Sequence, residues 1–413
     1  MARDLQRIVD EIGGRLQRAA AIDDPQLRLQ VYSPHYGPVD DVRLASILHR
    51  EAPSDAREWV ESLGIAAASQ PVRLPANDEL GLMPRVCAPI RFQDVHLGYL
   101  WLIDGDGDGG IHDDQIGEVQ DAADRAAVVM YRAGLLEQLE RGQERELLRD
   151  LLSGDDALAS HAAAQLIERD LFTRNARPIA IVIRPVPGAD ETIGEHERVT
   201  LDAVLESARG RVSSRHALQL VRPDHGVLVV AGNDPAVTPT GAVTLARDLA
   251  ATVRSKLGGQ RRIVAGVGDA QEDLHRTELS YRQAVRATHV VEIVPSFGDV
   301  ASWSALGIYR TLSLLPKDDL SAQAIHPGLL QLLDDPAHAA LVHSLESYLD
   351  RAGDAKATSD HLQIHRTSLY YRLGRVEELA QVDLKNGDDR LALHLGLKTA
   401  RLAGLWAGLA AEP

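Results

Sequence analysis

The sequence predicts a multidomain α/β protein, with an α+β first part, a long helical linker, a βαββαβα middle domain and an all-α head. Three patterns carry that reading. Apolar residues recur at helical spacing from Asp113 to about Leu152. Strand-like and helix-like runs alternate between Pro178 and Val290. From Leu341 onward only the helical period remains.

Composition bounds the function classes. The chain has 413 residues, enough for two to four domains with cores of their own. Aromatic residues are only 4% of the chain, so those cores must be built from Leu, Val, Ile and Ala. The single cysteine, Cys87, excludes an internal disulfide and falls in a strand pattern, where a buried inert thiol is expected. The N-terminus lacks a signal-peptide pattern, and every apolar run is shorter than the roughly 18 residues needed to span a bilayer. A cytoplasmic protein with no membrane contact is expected.

Taken in order, Leu5, Ile8, Val9, Ile12 and Leu16 predict a helix over residues 4–20. Leu27 to Tyr32 alternates like a strand, and Val42 to Leu63 is mostly helical with a stop at Pro53-Ser54-Asp55. Arg85 to Arg91 and Leu97 to Ile103 predict a hairpin turning at Gln93-Asp94. The run Asp104-Gly105-Asp106-Gly107-Asp108-Gly109 fits the first half of a calcium loop. Gln115 stands where such a loop needs a bidentate Glu, and a strand precedes it, so an acidic connecting loop is expected.

The helix from Asp113 carries an a/d-like seam of Ile116, Val119, Ala123, Ala126, Met130 and Ala133, with breaks expected at Gly134 and Gly142. It predicts a dimer stalk, and so a homodimer or higher homo-oligomer. In the middle domain the expected elements are a strand over Pro178–Val186, a helix over Glu195–Gly210 and a hairpin of Ala217–Arg222 with Val227–Ala231. A helix over Val243–Leu257, a strand over Arg262–Val267 and a helix over Thr277–Val290 follow.

The head holds the most informative stretch. Ala355 to Leu362 predicts a short helix, Gln363 to Arg366 a turn, and Leu369, Leu373, Val376 and Ala380 one apolar face of a second helix. Thr367, Tyr371 and Arg375 point away from that face, with Ser368 and Arg372 on a flank. Arg366 falls nearer the buried side, where Asp360 or a DNA phosphate is its expected partner. Hydroxyls, a phenol and guanidiniums with no acid before Glu377 suit a major groove. The chain carries −16 net, but Ala340 to Leu405 holds nine Lys/Arg and nine Asp/Glu and is neutral. A last helix over Asp388–Leu409 is expected, with Leu391, Leu395, Leu402, Leu405 and Leu409 bracing the head or a second protomer.

The run from Leu362 through His365-Arg366-Thr367-Ser368-Leu369-Tyr370-Tyr371-Arg372-Leu373, then Val376-Glu377-Glu378-Leu379 and Asp383-Leu384, resembles the C-terminal helix-turn-helix of PucR/CdaR-type bacterial transcription regulators. That family usually has Asn-Thr where this chain has Thr367-Ser368, and alanines at Thr358 and Ser359; the departures bear on base preference more than on packing. The order of helix, strand, helices, hairpin and exit helix is similar to a GAF domain, with Cys87 to Arg91 and Leu97 to Trp101 as its hairpin. The resemblance implies a small-molecule effector or a dimerisation role there. The middle domain resembles a GGDEF-type cyclase palm, and through Ser280-Tyr281-Arg282-Gln283-Ala284 the degenerate version found in PucR/CdaR-type regulators.

A cyclase needs carboxylates on the first strand and in the hairpin turn to hold two metals. Here the strand ends in Arg184-Pro185 and the turn reads Pro223-Asp224-His225-Gly226, leaving one acid. His361 and His365 straddle the turn and are expected to be structural. No P-loop, G-x-S-x-G or H-E-x-x-H is present, so no catalysis, metal or cofactor is expected.

The expected division is a GAF-like sensor (residues 1–112), a stalk helix (113–152), a degenerate GGDEF-like domain (153–300), a connector (301–335) and a helix-turn-helix head (336–413). The expected function is an effector- or partner-responsive regulator binding double-stranded promoter DNA. Thr367, Ser368, Tyr371, Arg372 and Arg375 would contact the groove, and Arg366 a phosphate. The alternatives are a non-catalytic signalling scaffold and a nucleotide-sensing protein.

Overall fold

The computed structural model describes residues 1–104, 110–188, 193–212, 216–232, 238–316 and 319–407. The chain divides into two compact units, Met1–Gly142 and Gln143–Pro413.

The first unit is built on an antiparallel five-stranded sheet. Its strands are β1 (Ala20–Asp23), β2 (Leu29–Tyr32), β3 (Val72–Leu74), β4 (Arg85–Phe92) and β5 (Val95–Ile103), in the order β2-β1-β5-β4-β3. Period-two alternation gives the sheet two apolar faces. Ile22, Val86, Ala88, Ile90, Leu100 and Leu102 point to one, where helix α1 (Ala2–Leu16) supplies Leu5, Ile8, Val9 and Ile12. Ala21, Cys87, Tyr99 and Trp101 point to the other, toward helices α2 (Asp41–His49) and α3 (Ser54–Ser62). The β4–β5 hairpin turns at Gln93-Asp94, with Phe92 opposite Val95 and Gln93 at φ 52°. Gly98 is required beside it: a Cβ there would lie 2.2 Å from the Asp23 carbonyl oxygen. Strand β1 escaped the sequence pattern, because Ala-Ala-Ile-Asp is short and lacks the β-branched alternation that marks a strand.

Helix α4 (Asp113–Leu151) runs unbroken for 39 residues and does not stop at Gly134 or Gly142. Each glycine costs about 1 kcal/mol in a helix, too little to interrupt one anchored at both ends. The expected dimer seam is reassigned as well. Val119, Ala123 and Ala126, with Ala122 and Ala127, cover the first unit's own sheet, and Ile116 and Met130 pack at the edge of that core. The apolar side chains left exposed on the helix are a different set, Val128, Leu135, Leu136 and Leu139. Of the acidic run, residues 105–109 lie outside the described residues. Asp104 accepts hydrogen bonds from the Arg73 guanidinium at 2.9 Å and from Ile111 N at 2.5 Å.

In the second unit, the last turns of α4 and helix α5 (Asp156–Glu168) pack on one face of a second five-stranded sheet. Its strands are β6 (Ile179–Pro185), β7 (Ala217–Val221), β8 (Gly226–Val230), β9 (Ile263–Val267) and β10 (Val300–Ser302), in the order β10-β9-β6-β8-β7. Helices α6 (Glu195–Val212) and α7 (Pro239–Lys256) cover the opposite face with Leu201, Val204, Leu205, Ala246 and Leu249. Because both faces are covered, β6 reads as a continuous apolar run. Helix α8 (Thr277–Ile293) lies so close to β9 that a Cβ on Gly266 would stand 2.1 Å from the Ala284 carbonyl oxygen. The expected βαββαβα order is present, with α5 and β10 added. β10 pairs parallel to β9 and feeds a short helix, α9 (Ile308–Leu312).

Among its described residues the head has five α-helices: α10 (Pro327–Asp334), α11 (Ala339–Asp350), α12 (Ala355–Leu362), α13 (Arg366–Ala380) and α14 (Gly387–Leu402). Their core joins Leu329, Val342, Leu345, Leu369, Leu373, Val376, Leu393 and Leu397. α14 therefore braces the head with Leu393, Leu397 and Ala400; Leu391, Leu395 and Leu405, named from the sequence, are exposed. Leu409 lies outside the described residues.

Candidate nucleic-acid interface

Two caps and one left-handed turn define the helix pair. Asp354 caps α12 by accepting from Lys356 N and Ala357 N at 2.8 and 3.0 Å. The helix ends at Gln363, which takes φ 51°, the left-handed conformation that glycine usually fills at such turns. His365 caps α13: its Nδ1 accepts from Thr367 N at 3.3 Å and lies 3.0 Å from Thr367 Oγ1. The imidazole at this turn is thus a structural cap.

The stripe of α13 is buried as its spacing requires, with Leu369, Leu373, Val376 and Ala380 between 0% and 5% exposed. Thr358 and Ser359 are buried too, and their hydroxyls donate to Asp354 O and Lys356 O, one turn back in α12. Their departure from alanine is absorbed inside the helix and presents nothing to a ligand.

The opposite surface carries the residues expected to read DNA. Arg366, Thr367 and Ser368 are exposed in the first turn of α13, and Tyr371 is 75% exposed. Arg375 is exposed and paired with Glu378 at 2.6 Å. Arg372 is half-buried, and its Nη1 donates to Ser344 Oγ on α11 at 3.2 Å. Arg366 differs from expectation: it is exposed instead of lying on the buried side, and it makes no ion pair with Asp360, also exposed, among the described residues. Position within the first turn explains this, since no helix packs over that end. Tyr370, 60% exposed beside Tyr371, was not singled out from the sequence, although two adjacent tyrosines on a polar surface were a visible signal.

The first turn of α13 contains Arg366 and no acid. No carboxylate of its own first turn therefore opposes the positive end of its helix dipole. Glu377 faces away from this end, accepting from Leu384 N at 2.9 Å, and so fixes the turn after the helix. A second brace fixes α11 to α14. Buried Glu346 accepts from Arg401 Nη2 at 2.7 Å and from Trp406 Nε1 at 3.1 Å. Asp350 accepts from Lys398 Nζ and His394 Nε2, both at 2.7 Å, and these bonds hold its carboxyl down at about 2 against the opposing effect of burial.

The middle domain's hairpin turn is occupied otherwise. Asp224 lies 2.8 Å from the His225 ring, whose other nitrogen meets the Tyr281 hydroxyl at 3.1 Å. Burial lowers the pKa of His225. At the end of β6, Arg184 pairs with Glu292 at 2.7 Å. Among the described residues no group of His, Cys, Asp and Glu is arranged to hold a metal ion.

Comparison with known proteins adds to this geometry. Residues 341–399 match the PucR C-terminal helix-turn-helix domain, and residues 159–290 the GGDEF-like domain. The proline-responsive transcriptional activator PutR of Bacillus subtilis is 21% identical, over 95% of this chain and 96% of its own length. The DNA-binding transcriptional activator AdeR of the same organism is 22% identical, over 95% and 92%. The carbohydrate diacid regulator of Escherichia coli is 35% identical over 82 residues, covering 20% of this chain and 21% of its own. With the helix pair, its exposed polar face and these matches together, the chain is a PucR-type DNA-binding transcription regulator.

Proposed function

We propose that the protein is an effector-responsive dimeric regulator that reads promoter DNA with α13. The observation that carries this reading is the division of α13 into a buried stripe, Leu369 to Ala380, and an exposed row of Thr367, Tyr371 and Arg375. In the proposed mode Thr367, Ser368, Tyr371, Arg372 and Arg375 contact base edges, and Arg366 holds a phosphate.

The five-part division follows the same reading, with a GAF-like sensor in residues 1–112, the stalk in 113–152, a non-catalytic cyclase-like domain in 153–300, a connector in 301–335 and the head in 336–413. The antiparallel sheet between α1 and the α2–α3 pair supports the sensor assignment. The two protomers would meet along Val128, Leu135, Leu136 and Leu139 of α4, and their two copies of α13 would read half-sites about 34–36 Å apart, one turn of DNA. An effector that changes this spacing would change affinity. No helix of the described residues is long and apolar enough to cross a membrane, which fits work at cytoplasmic DNA.

The test is selection of genomic fragments by the full-length protein, followed by binding of the recovered site at rising salt. A recurrent, roughly two-fold symmetric site supports the proposal; uniform binding that disappears at moderate salt overturns it.

A further inference from the structure

The first unit encloses a cavity of about 50 Å³ between its sheet and helices α2 and α3. An ordered water occupies roughly 10–15 Å³ on this measure, so the space suits a small organic molecule with few heavy atoms. Ala21, Leu29, Ile47 and Val60 contribute apolar walls. Into this apolar setting the fold directs groups of both charge signs.

Asp23 lines the cavity from β1 at 9% exposure; among the described residues its carboxyl makes no salt bridge, and the Trp101 indole is its hydrogen-bonding neighbour. Trp101, two residues along β5 from Tyr99, which pairs with Asp23, lines the same space, and its buried indole N–H is turned toward the Asp23 carboxyl, its one acceptor among the described residues. Opposite stand Arg43 and Arg85. Arg43 is 6% exposed and is steered by the Ala20 and Ser33 carbonyls at 3.2 and 3.0 Å. Arg85 is fixed through Nη2 by buried Asp40, its Nη1 makes no hydrogen bond among the described residues, and its guanidinium lies 5.9 Å from the centre of the Trp101 ring.

Buried polar groups without partners are costly, and cavities lined by them are normally filled. A simple anion would face the Asp23 carboxyl, and a simple amine would face two guanidiniums. A neutral apolar molecule would use neither the Asp23 carboxyl nor the guanidiniums that line the space. We infer that this cavity binds a small aliphatic α-amino acid, its ammonium group at Asp23 and its carboxylate at the Arg85 and Arg43 guanidiniums. The inference deepens the sensor reading proposed above, since it names the ligand class of that domain.

Isothermal titration of the full-length chain with L-alanine, L-valine, L-proline and L-tryptophan tests it. Propionate and ethylamine serve as the two halves of alanine. At least one of the three small amino acids should bind with one-to-one stoichiometry, and L-tryptophan should be excluded by size. Propionate and ethylamine should each bind at least about tenfold more weakly than alanine if alanine is the ligand. Asp23→Asn keeps the side-chain shape and should weaken binding by at least about tenfold, with a melting temperature at pH 5 no lower than the parent's as the check on folding. Because the carboxylate form is needed, affinity should rise by up to about tenfold per pH unit between pH 5 and 7.

No saturable binding by any of the three small amino acids overturns the assignment. So does equal binding by the Asp23→Asn variant, or by either half-molecule. Binding that leaves DNA affinity unchanged supports the cavity assignment and contradicts the sensor reading instead, so the two can fail separately.

Discussion

Arg372 of α13 donates a hydrogen bond through Nη1 to Ser344 Oγ of α11 at 3.2 Å, across 28 residues of sequence. Ser344 is itself buried and donates to the Ala340 carbonyl at 2.7 Å. The guanidinium nearest the middle of α13 is therefore steered by a buried hydroxyl of α11. Ser344→Ala should cost no more than about 1 kcal/mol of stability, yet weaken specific DNA binding several-fold by freeing Arg372. Arg372→Ala should cost about 1–3 kcal/mol of binding. Urea melts and fluorescence anisotropy on the selected site separate the two effects; a Ser344→Ala variant with unchanged affinity would remove the steering role.

Arg366 and Arg375 should differ in kind. Arg366 is exposed in the first turn of α13; if it holds a phosphate as proposed, Arg366→Ala should weaken all sequences alike and reduce the salt slope of log K by about 1. Arg375→Ala should relax discrimination at one base-pair position. Competition against single-position variants of the site reads both. The reverse pattern would exchange the two roles.

Glu346 joins α14 to α11. It is 4% exposed and accepts from Arg401 and Trp406. Glu346→Ala should destabilise the second unit by about 3 kcal/mol, because Arg401 would be left without its buried partner. A denaturant midpoint unchanged from the parent would contradict this.

The two units should respond to pH in opposite directions. Burial pushes the Asp23 carboxyl up to about 7, against the opposing pull of Arg85. The folded first unit therefore holds a proton that the unfolded chain releases near 3.8, and its stability falls as pH rises from about 4 to 7. The full span is worth roughly 4 kcal/mol at most, and Asp23→Asn should abolish it. Asp350 is held down at about 2, so its contribution is present above 3.8 and is lost as pH falls through about 2. Thermal melts of parent and variant from pH 4 to 8 check the first sign; a first unit that gains stability across that range refutes it.

Leu136 and Leu139 are 54% and 65% exposed on α4. If they form the protomer contact, Leu136→Glu with Leu139→Glu should convert the dimer to a monomer and abolish cooperative binding to two half-sites. Analytical ultracentrifugation provides the readout, and an unaltered dimer would place the contact elsewhere.

Periodicity is legible where one face is buried and the other is wet. That is why Leu369, Leu373, Val376 and Ala380 could be assigned from spacing alone, together with the row of Thr367, Tyr371 and Arg375. It cannot say what covers an apolar face. Val119, Ala123 and Ala126 have the spacing of a dimer seam, but the cover is the first unit's own sheet. Short strands built from alanine, such as β1, give no alternation to read. Contacts distant in sequence were invisible for a different reason: nothing local in Ser344 or Arg372 announces that they meet. The cavity group of Asp23, Arg43, Arg85 and Trp101 is likewise assembled by sheet register and helix packing, from four separate stretches of chain.

Base-specific reading by α13 is the central claim, and its most direct test is the genomic fragment selection repeated with the Thr367→Ala/Arg375→Ala double variant. The expected result is a recurrent symmetric site for the parent and, for the correctly folded variant, loss of that preference with residual salt-sensitive binding. Recovery of the same site by the variant would show that the exposed face of α13 does not read DNA.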